Sequence, residues 1–292
     1  MANVTWCAFD GPEAVSQAAT DRLLAAMHRA LDARGRADLV LTGGSLGIAM
    51  LANLTSERFA ARLPQDLAGV HLWWGDERFV GRSDEDRNSG QALDAMAGAL
   101  SGATLHLVPG PEEAASPEDA AASYARELTG VEFDIVFLGM GPDGHIASLF
   151  PGHEQVLEDS ADVLAELDSP KPPPQRVTMS GSRLRAAAEI VLLFAGQEKH
   201  AAAAALLTGA SLDGEQTRVN VPAPSSAAAL EVPARLALTD RTTVLSDVSA
   251  RQLIEAGGAK ERQRAVPRRL RSPSRASASS SSHSSVLRRS MR

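Results

Sequence analysis

Asp143 and His145 stand two residues apart in Gly139-Met-Gly-Pro-Asp-Gly-His-Ile-Ala-Ser-Leu-Phe-Pro-Gly152. Histidine is the side chain whose unperturbed pKa suits proton transfer near neutrality, and an aspartate this close can orient or polarise it. The pair is a candidate general base with its support. Gly139, Gly141 and Gly144 surround it and permit close approach of a ligand to the main chain. A glycine-rich turn whose histidine merely caps a helix is the bland alternative.

Three further polar clusters weigh against that alternative: Gly43-Gly44-Ser45, Asp76-Glu77-Arg78 and Gly196-Gln-Glu-Lys199. The first precedes a helical pattern, so it offers free backbone N–H groups, a hydroxyl and the positive end of a helix, a ready anion site. An ordinary tight turn with an N-cap explains it equally. No Gly-Lys-Ser/Thr follows, which excludes a Walker A loop. Arg78 can grip a phosphate through two N–H groups, or pair on the surface with Asp84, Glu85 or Asp86. Lys199 sits at a helix start, where a cation opposes the helix dipole, so a bound anion accounts for it better than a structural role. Arg176 opens a strand just after the Pro170-to-Pro174 loop, near where a substrate would come in. His153 reads as a rim residue, and the other histidines lack metal-ligand spacing.

These groups need a scaffold. Apolar runs alternate with helical patterns along the chain. Strands are expected at Asp38–Thr42, Val70–Trp74, Thr104–Val108, Phe133–Phe137, Gln175–Met179, Glu189–Phe194 and Thr242–Ser246. Helices are expected over 12–33, 46–63, 89–100, 117–128 and from about 199 to 207. This rhythm predicts an α/β fold, a mostly parallel, Rossmann-like sheet with helices on both faces. Ligands of such sheets bind outside the carboxyl ends of the strands, where all four polar clusters fall.

At 292 residues the chain can hold a substantial core, and 44% hydrophobic residues is ordinary for a soluble globular protein. No apolar run reaches the length of a membrane span and no charged-then-apolar leader opens the chain, so a cytoplasmic protein is expected. The single cysteine, Cys7, excludes an internal disulfide and is expected to be half-buried near the first helix. Nine arginines and no acid lie in 262–292, so the net −7 hides −16 on residues 1–261. Two segments follow: a body over 1–256 and an Arg/Ser/Pro-rich tail over 257–292, too poor in apolar surface to order. The tail lacks interleaved aromatics and follows an acidic body, so no nucleic acid partner is expected. Any self-association is expected to be weak.

Gly-Gly-Ser-Leu-Gly at 43–47, Trp-Trp-Gly-Asp-Glu-Arg-Phe-Val at 73–80 with Arg87-Asn88, the stretch 139–152 and Arg176-Val-Thr-Met together resemble the 6-phosphogluconolactonase family, from about residue 8 to about 210. The resemblance implies the fold of the glucosamine-6-phosphate deaminases, hydrolysis of 6-phosphoglucono-δ-lactone in the oxidative pentose phosphate pathway, and neither metal nor organic cofactor. It further implies that His145 activates water and Asp143 supports it. Arg78, Lys199, Gly43, Gly44 and Ser45 would bind phosphate and sugar, with Asp76 and Arg176 lining the site. The deaminases themselves are the rival, but their motif carries a glutamate five residues after the histidine, where this chain has Phe150, and Asp-Glu-Tyr in place of Asp-Glu-Arg. A sugar-phosphate binder without turnover is a second alternative, and it would have no need of the Asp143–His145 pair. The carboxyl end departs from the family, with Val219-Asn-Val-Pro-Ala223 followed by a second Val232-Pro-Ala234. A natural extension and a shifted reading frame both account for the tail.

Overall fold

The computed structural model describes residues 1–213 and 217–265. Its strands are β1 (Ala2–Ala8), β2 (Ala37–Leu41), β3 (Val70–Trp74), β4 (Asp76–Arg78), β5 (Thr104–Leu105), β6 (Ile135–Gly139), β7 (Val163–Glu166), β8 (Arg176–Met179), β9 (Ile190–Phe194), β10 (Ser211–Leu212), β11 (Arg218–Val221) and β12 (Thr242–Ser246). The helices are α1 (Pro12–Arg34), α2 (Gly44–Ala52), α3 (Glu57–Ala60), α4 (Asn88–Met96), α5 (Pro117–Glu127), α6 (Gly181–Arg185), α7 (His200–Leu206), α8 (Ser226–Glu231) and α9 (Ala250–Ala265).

Nine strands form one sheet in the order β10-β11-β1-β12-β9-β6-β2-β3-β5. From β1 to β5 every pairing is parallel, and only the β1–β11 and β11–β10 pairings at one edge are antiparallel. The expected α/β architecture is therefore present. Both faces are covered, and the strands show it residue by residue. Leu39, Leu41, Ile135, Phe137, Val191 and Leu193 pack with Val15, Leu23, Leu24 and Met27 of α1. Their neighbours Val40, Val136, Leu138, Leu192 and Val244 pack on the other side with Tyr124 of α5 and Leu206 of α7. Two-sided burial is why these strands are apolar runs rather than alternating ones. Each such side chain contributes about 1.5–3 kcal/mol by leaving water.

Several expected boundaries shift, for local reasons. The helix expected over 46–63 breaks after Ala52, because Thr55 Oγ1 and Ser56 Oγ donate to the carbonyls of Ala52 and Asn53 and compete with helical bonding. The helix expected over 89–100 ends at Met96, where Ala97 (φ 43°) and Gly98 (φ 83°) turn left-handed. Of Thr104–Val108 only the first two residues are strand, at the sheet edge beside β3. Cys7 lies in β1, a strand absent from the sequence reading, and is partly buried.

The larger correction is a second sheet. Asp76–Arg78, expected as a loop, is β4, and it pairs antiparallel with β8, which pairs with β7. Gln175–Met179 was expected among the alternating strands of the parallel sheet, but β8 belongs to this three-stranded sheet instead. At the other end, the composition break after Ala256 is not a structural break, since α9 continues to Ala265. Residues 266–292 of the expected tail lie outside the described residues. No helix among the described residues is long and apolar enough to cross a membrane.

Candidate active site

The carboxyl ends of β2, β3, β6 and β9 open into a cleft of about 190 Å³. Gly43, Gly44, Ser45, Asp76, Arg78, His145, Arg176 and Lys199 all line it. Asp143 stands behind His145 and reaches the cleft through it. The fold thus gathers every expected site residue, drawn from three loops and the second sheet.

After β6, the chain turns tightly through Gly141, whose N–H donates to the His145 carbonyl at 2.9 Å, and Gly144 (φ 84°). Ala234 N–H donates to the Gly144 carbonyl at 2.9 Å, so the second Val-Pro-Ala segment clamps this loop. Asp143 Oδ1 lies 2.5 Å from His145 Nδ1 and also accepts the His145 backbone N–H. A carboxylate only accepts, so Nδ1 carries a proton, and in the neutral ring Nε2 is the nitrogen with the lone pair. Burial pushes the Asp143 carboxyl up, but the His145 hydrogen bond and the charges of His145 and Lys171 outweigh that and hold it well below the usual carboxylate range. It is an anion at any working pH.

The next residues are strained. Ala147 takes φ 47°, an uncommon conformation for a side chain with Cβ. The turn lets Ser148, fully buried, donate through Oγ to Asp76 Oδ2 at 2.6 Å. Asp76 is thereby fixed at the start of β4, with its carbonyl accepting from Asn88 Nδ2. Asn88 Oδ1 stands against Gly43, where a Cβ would approach to 2.2 Å, so residue 43 must be glycine. Ahead of α2 there is neither a capping side chain nor an acid in the first turn, which leaves its N–H groups facing the cleft unpaired by side chains.

Arg78 is positioned by its neighbour. The buried carboxylate of Glu77 accepts N–H groups from Arg78, Asn88 and Ser89 at 2.7–2.9 Å. Burial still pushes the Glu77 carboxyl up. Arg78 makes no ion pair with Asp84, Glu85 or Asp86 among the described residues. It donates instead to the Asp86 carbonyl, and its Nε is buried without a partner. In the sheet register Arg78 lies directly opposite Arg176. Like charges so placed destabilise a sheet.

Arg176 is 5% exposed and spends its Nε and Nη2 on the carbonyls of Pro173, Lys171 and Pro172. It holds that loop. Burial lowers its pKa, and burial likewise lowers that of Lys199, aided by the like charge of Lys171. His153, expected at the rim, bonds Glu166 at 2.9 Å and lies tilted against Phe150, with ring centroids 5.8 Å apart. Phe150 is fully buried, 4.9 Å from the His145 ring.

Sequence reasoning missed Lys171, which lines the cleft with its Nζ 3.0 Å from His145 Nδ1. Its signal was being the one basic residue inside the Pro170-to-Pro174 loop. Four cations, Arg78, Lys171, Arg176 and Lys199, therefore converge with one lining carboxylate, Asp76. On a chain of net charge −7 the cleft is a local positive field.

Residues 10–234 match the family described as glucosamine-6-phosphate isomerases/6-phosphogluconolactonase. The chain belongs to this family. A 6-phosphogluconolactonase of Streptomyces coelicolor is 39% identical over 212 residues, 68% of this chain and 80% of that protein. One of Mycobacterium tuberculosis is 39% identical over 214 residues, 69% of this chain and 85% of that protein. The crystal structure of a 6-phosphogluconolactonase from Shewanella baltica superposes with a TM-score of 0.68 at 24% identity, covering 83% of this chain and 97% of the other, and bears on the fold alone. The family match runs past the expected limit near 210 to Ala234, and so includes the Val232-Pro-Ala234 segment that clamps the His145 loop.

Proposed function

We infer that the protein hydrolyses 6-phospho-D-glucono-1,5-lactone to 6-phospho-D-gluconate, the lactone-opening step of the oxidative pentose phosphate pathway. One observation carries the choice within the family. His145 has an anionic aspartate on Nδ1, a lone pair on Nε2, and a buried phenyl ring, Phe150, where an amino-sugar deaminase has its glutamate. A base beside an apolar wall suits activation of water. Opening and isomerising an amino sugar calls for a second proton-transfer group, and phenylalanine cannot supply one.

In this reading Nε2 of His145 takes a proton from water as its oxygen attacks the lactone carbonyl carbon. The new C–O bond gives a tetrahedral oxyanion, stabilised by the positive cleft. The intermediate collapses with cleavage of the bond to the ring oxygen, which takes the proton back from the imidazolium. The base is thus restored without a cofactor, while the water is consumed: its oxygen stays in the new carboxyl group and its proton on the former ring oxygen. Asp143 keeps Nδ1–H in place throughout. Arg78 and Lys199, with Gly43, Gly44 and Ser45 at the start of α2, hold the phosphate. Asp76, fixed by Ser148, is an acceptor for sugar hydroxyls. Binding the phosphate far from the carbonyl places the reacting carbon and supplies most of the selectivity. The enzyme acts in the cytoplasm on its small-molecule substrate, with no membrane or nucleic acid partner and at most weak self-association.

The test sets two substrates against each other. The lactone is generated in place from glucose 6-phosphate and its product is read with 6-phosphogluconate dehydrogenase. Ammonia release from glucosamine 6-phosphate is read in parallel. Accelerated lactone opening without ammonia release is expected. Ammonia release, or folded protein inert towards the lactone, would overturn the reading.

A further inference from the structure

Lys171 stands directly against the Asp143–His145 pair. Its backbone is tied on both sides: the N–H donates to Ser169 Oγ at 3.2 Å, and the carbonyl accepts from Ser169 Oγ at 2.9 Å and from Arg176 Nη2 at 2.9 Å. A buried arginine, whose charge is costly to desolvate, is committed to this loop. What the loop delivers is the Lys171 ammonium, 3.5 Å from Asp143 Oδ2 and 3.0 Å from His145 Nδ1.

The two contacts are unequal. Nδ1 already points its proton at Asp143 Oδ1, so it has no lone pair for an ammonium N–H. Oδ2 of the same carboxylate does have lone pairs. We propose that Lys171 is a positioning residue of the hydrolytic site: held by Arg176 and Ser169, it pins Asp143 through Oδ2 and thereby keeps Oδ1 on His145 Nδ1–H, with Nε2 turned towards water. Asp143 is 35% exposed on its side chain, and among the described residues its other bonds, from His145 Nδ1–H and the His145 backbone N–H, both fall on Oδ1, so without this cation Oδ2 is unheld and the carboxylate can rotate. Arg176 then acts at one remove, through the loop it ties down, rather than as a grip on phosphate. This inference rests on the proposed lactone hydrolysis.

The test uses full-length protein: wild type, Lys171→Met, which keeps length without charge, and Arg176→Lys, which cannot hold three carbonyls with a fork. Lys171 is 39% exposed, so its substitution leaves the core intact. In Lys171→Met, kcat is expected to fall about 30-fold from loss of alignment, while the Kd for 6-phosphogluconate by calorimetry stays within about threefold. Arg176→Lys is expected to show the same split, at about fivefold in kcat. A weakening of Kd in step with kcat would make Lys171 a phosphate ligand and overturn the proposal, as would an unchanged kcat. The His145 Nδ1–H resonance in protein labelled with ¹⁵N-histidine gives a readout independent of turnover. It is expected to be protected from exchange in wild type and broadened in Lys171→Met. Protection lost in the variant, with an inert wild type, would sink the hydrolytic reading while leaving the positioning role. Protection unchanged would sink the positioning role.

Discussion

Gly141→Ala should abolish most of the activity without removing a single reacting atom. A Cβ at this position would lie 1.9 Å from His145 Nδ1, 2.0 Å from Cε1 and 2.5 Å from Asp143 Oδ1. Ordinary contact begins near 3.4 Å, so the ring has to retreat by about 1.5 Å, and the carboxylate by about 1 Å. The methyl group stands against both ends of the 2.5 Å hydrogen bond, so the two groups cannot yield and stay bonded. The backbone is not at issue, because Gly141 is not among the glycines of positive φ. Misplacing a catalytic group by about 1 Å costs about 10²-fold, and losing general-base catalysis altogether costs up to about 10⁴-fold. A fall in kcat of about 10²- to 10³-fold is therefore expected, with a stability cost of about 1–3 kcal/mol from overpacking. The coupled lactone assay gives kcat, and urea unfolding shows that the variant is folded. A folded variant that keeps more than about a third of wild-type kcat would refute the idea that the Asp143–His145 contact is required.

Other consequences follow from the same geometry. Glu77→Ala leaves three buried N–H groups without an acceptor and should cost about 3 kcal/mol or more in urea unfolding; a cost below about 1 kcal/mol would mean that water replaces the carboxylate. Arg78→Ala removes a half-buried guanidinium from the cleft and should weaken 6-phosphogluconate binding by about 30-fold or more in calorimetry; an unchanged Kd would remove Arg78 from the phosphate site. His71 has its pKa lowered by burial and by the charge of Arg36, so the folded state favours the neutral ring. Its contribution to stability is then complete above the ordinary value of 6.5 and is lost as pH falls through the lowered folded value. Unfolding free energies measured from pH 7.5 to 5.5 should decline less steeply in His71→Gln than in wild type, and identical slopes would contradict the assignment.

How much of this was legible in the sequence depends on how local the cause is. Strands β3 and β12 lie where the apolar runs placed them, because burial on both faces demands continuous apolar residues. The four polar clusters were legible for the same reason, since each interrupts such a run at its carboxyl end. Asp76–Arg78 was not legible as a strand: three charged residues carry no period, and only pairing with β8 makes them β4. The break after Ala52 hides in Thr55 and Ser56, whose hydroxyls bond the local backbone. Lys171 and Glu77 owe their roles to contacts made across the fold. Lys171 meets His145 across 26 residues, and Glu77 meets Asn88 and Ser89 across 11 and 12. Arg176 lines the cleft as expected, but the sequence does not show that its Nε and Nη2 hold carbonyls three to five residues away.

The central claim is that His145, oriented by Asp143, delivers water to a lactone carbonyl. It is tested most directly by hydrolysis of 6-phosphogluconolactone above the spontaneous rate, with wild type and His145→Ala side by side and 6-phosphogluconate binding as the check on the site. The account predicts acceleration by wild type and a loss of about 10²- to 10⁴-fold in the variant, with product affinity kept. Equal acceleration by both proteins would contradict it, and would assign the hydrolysis to the positive cleft alone.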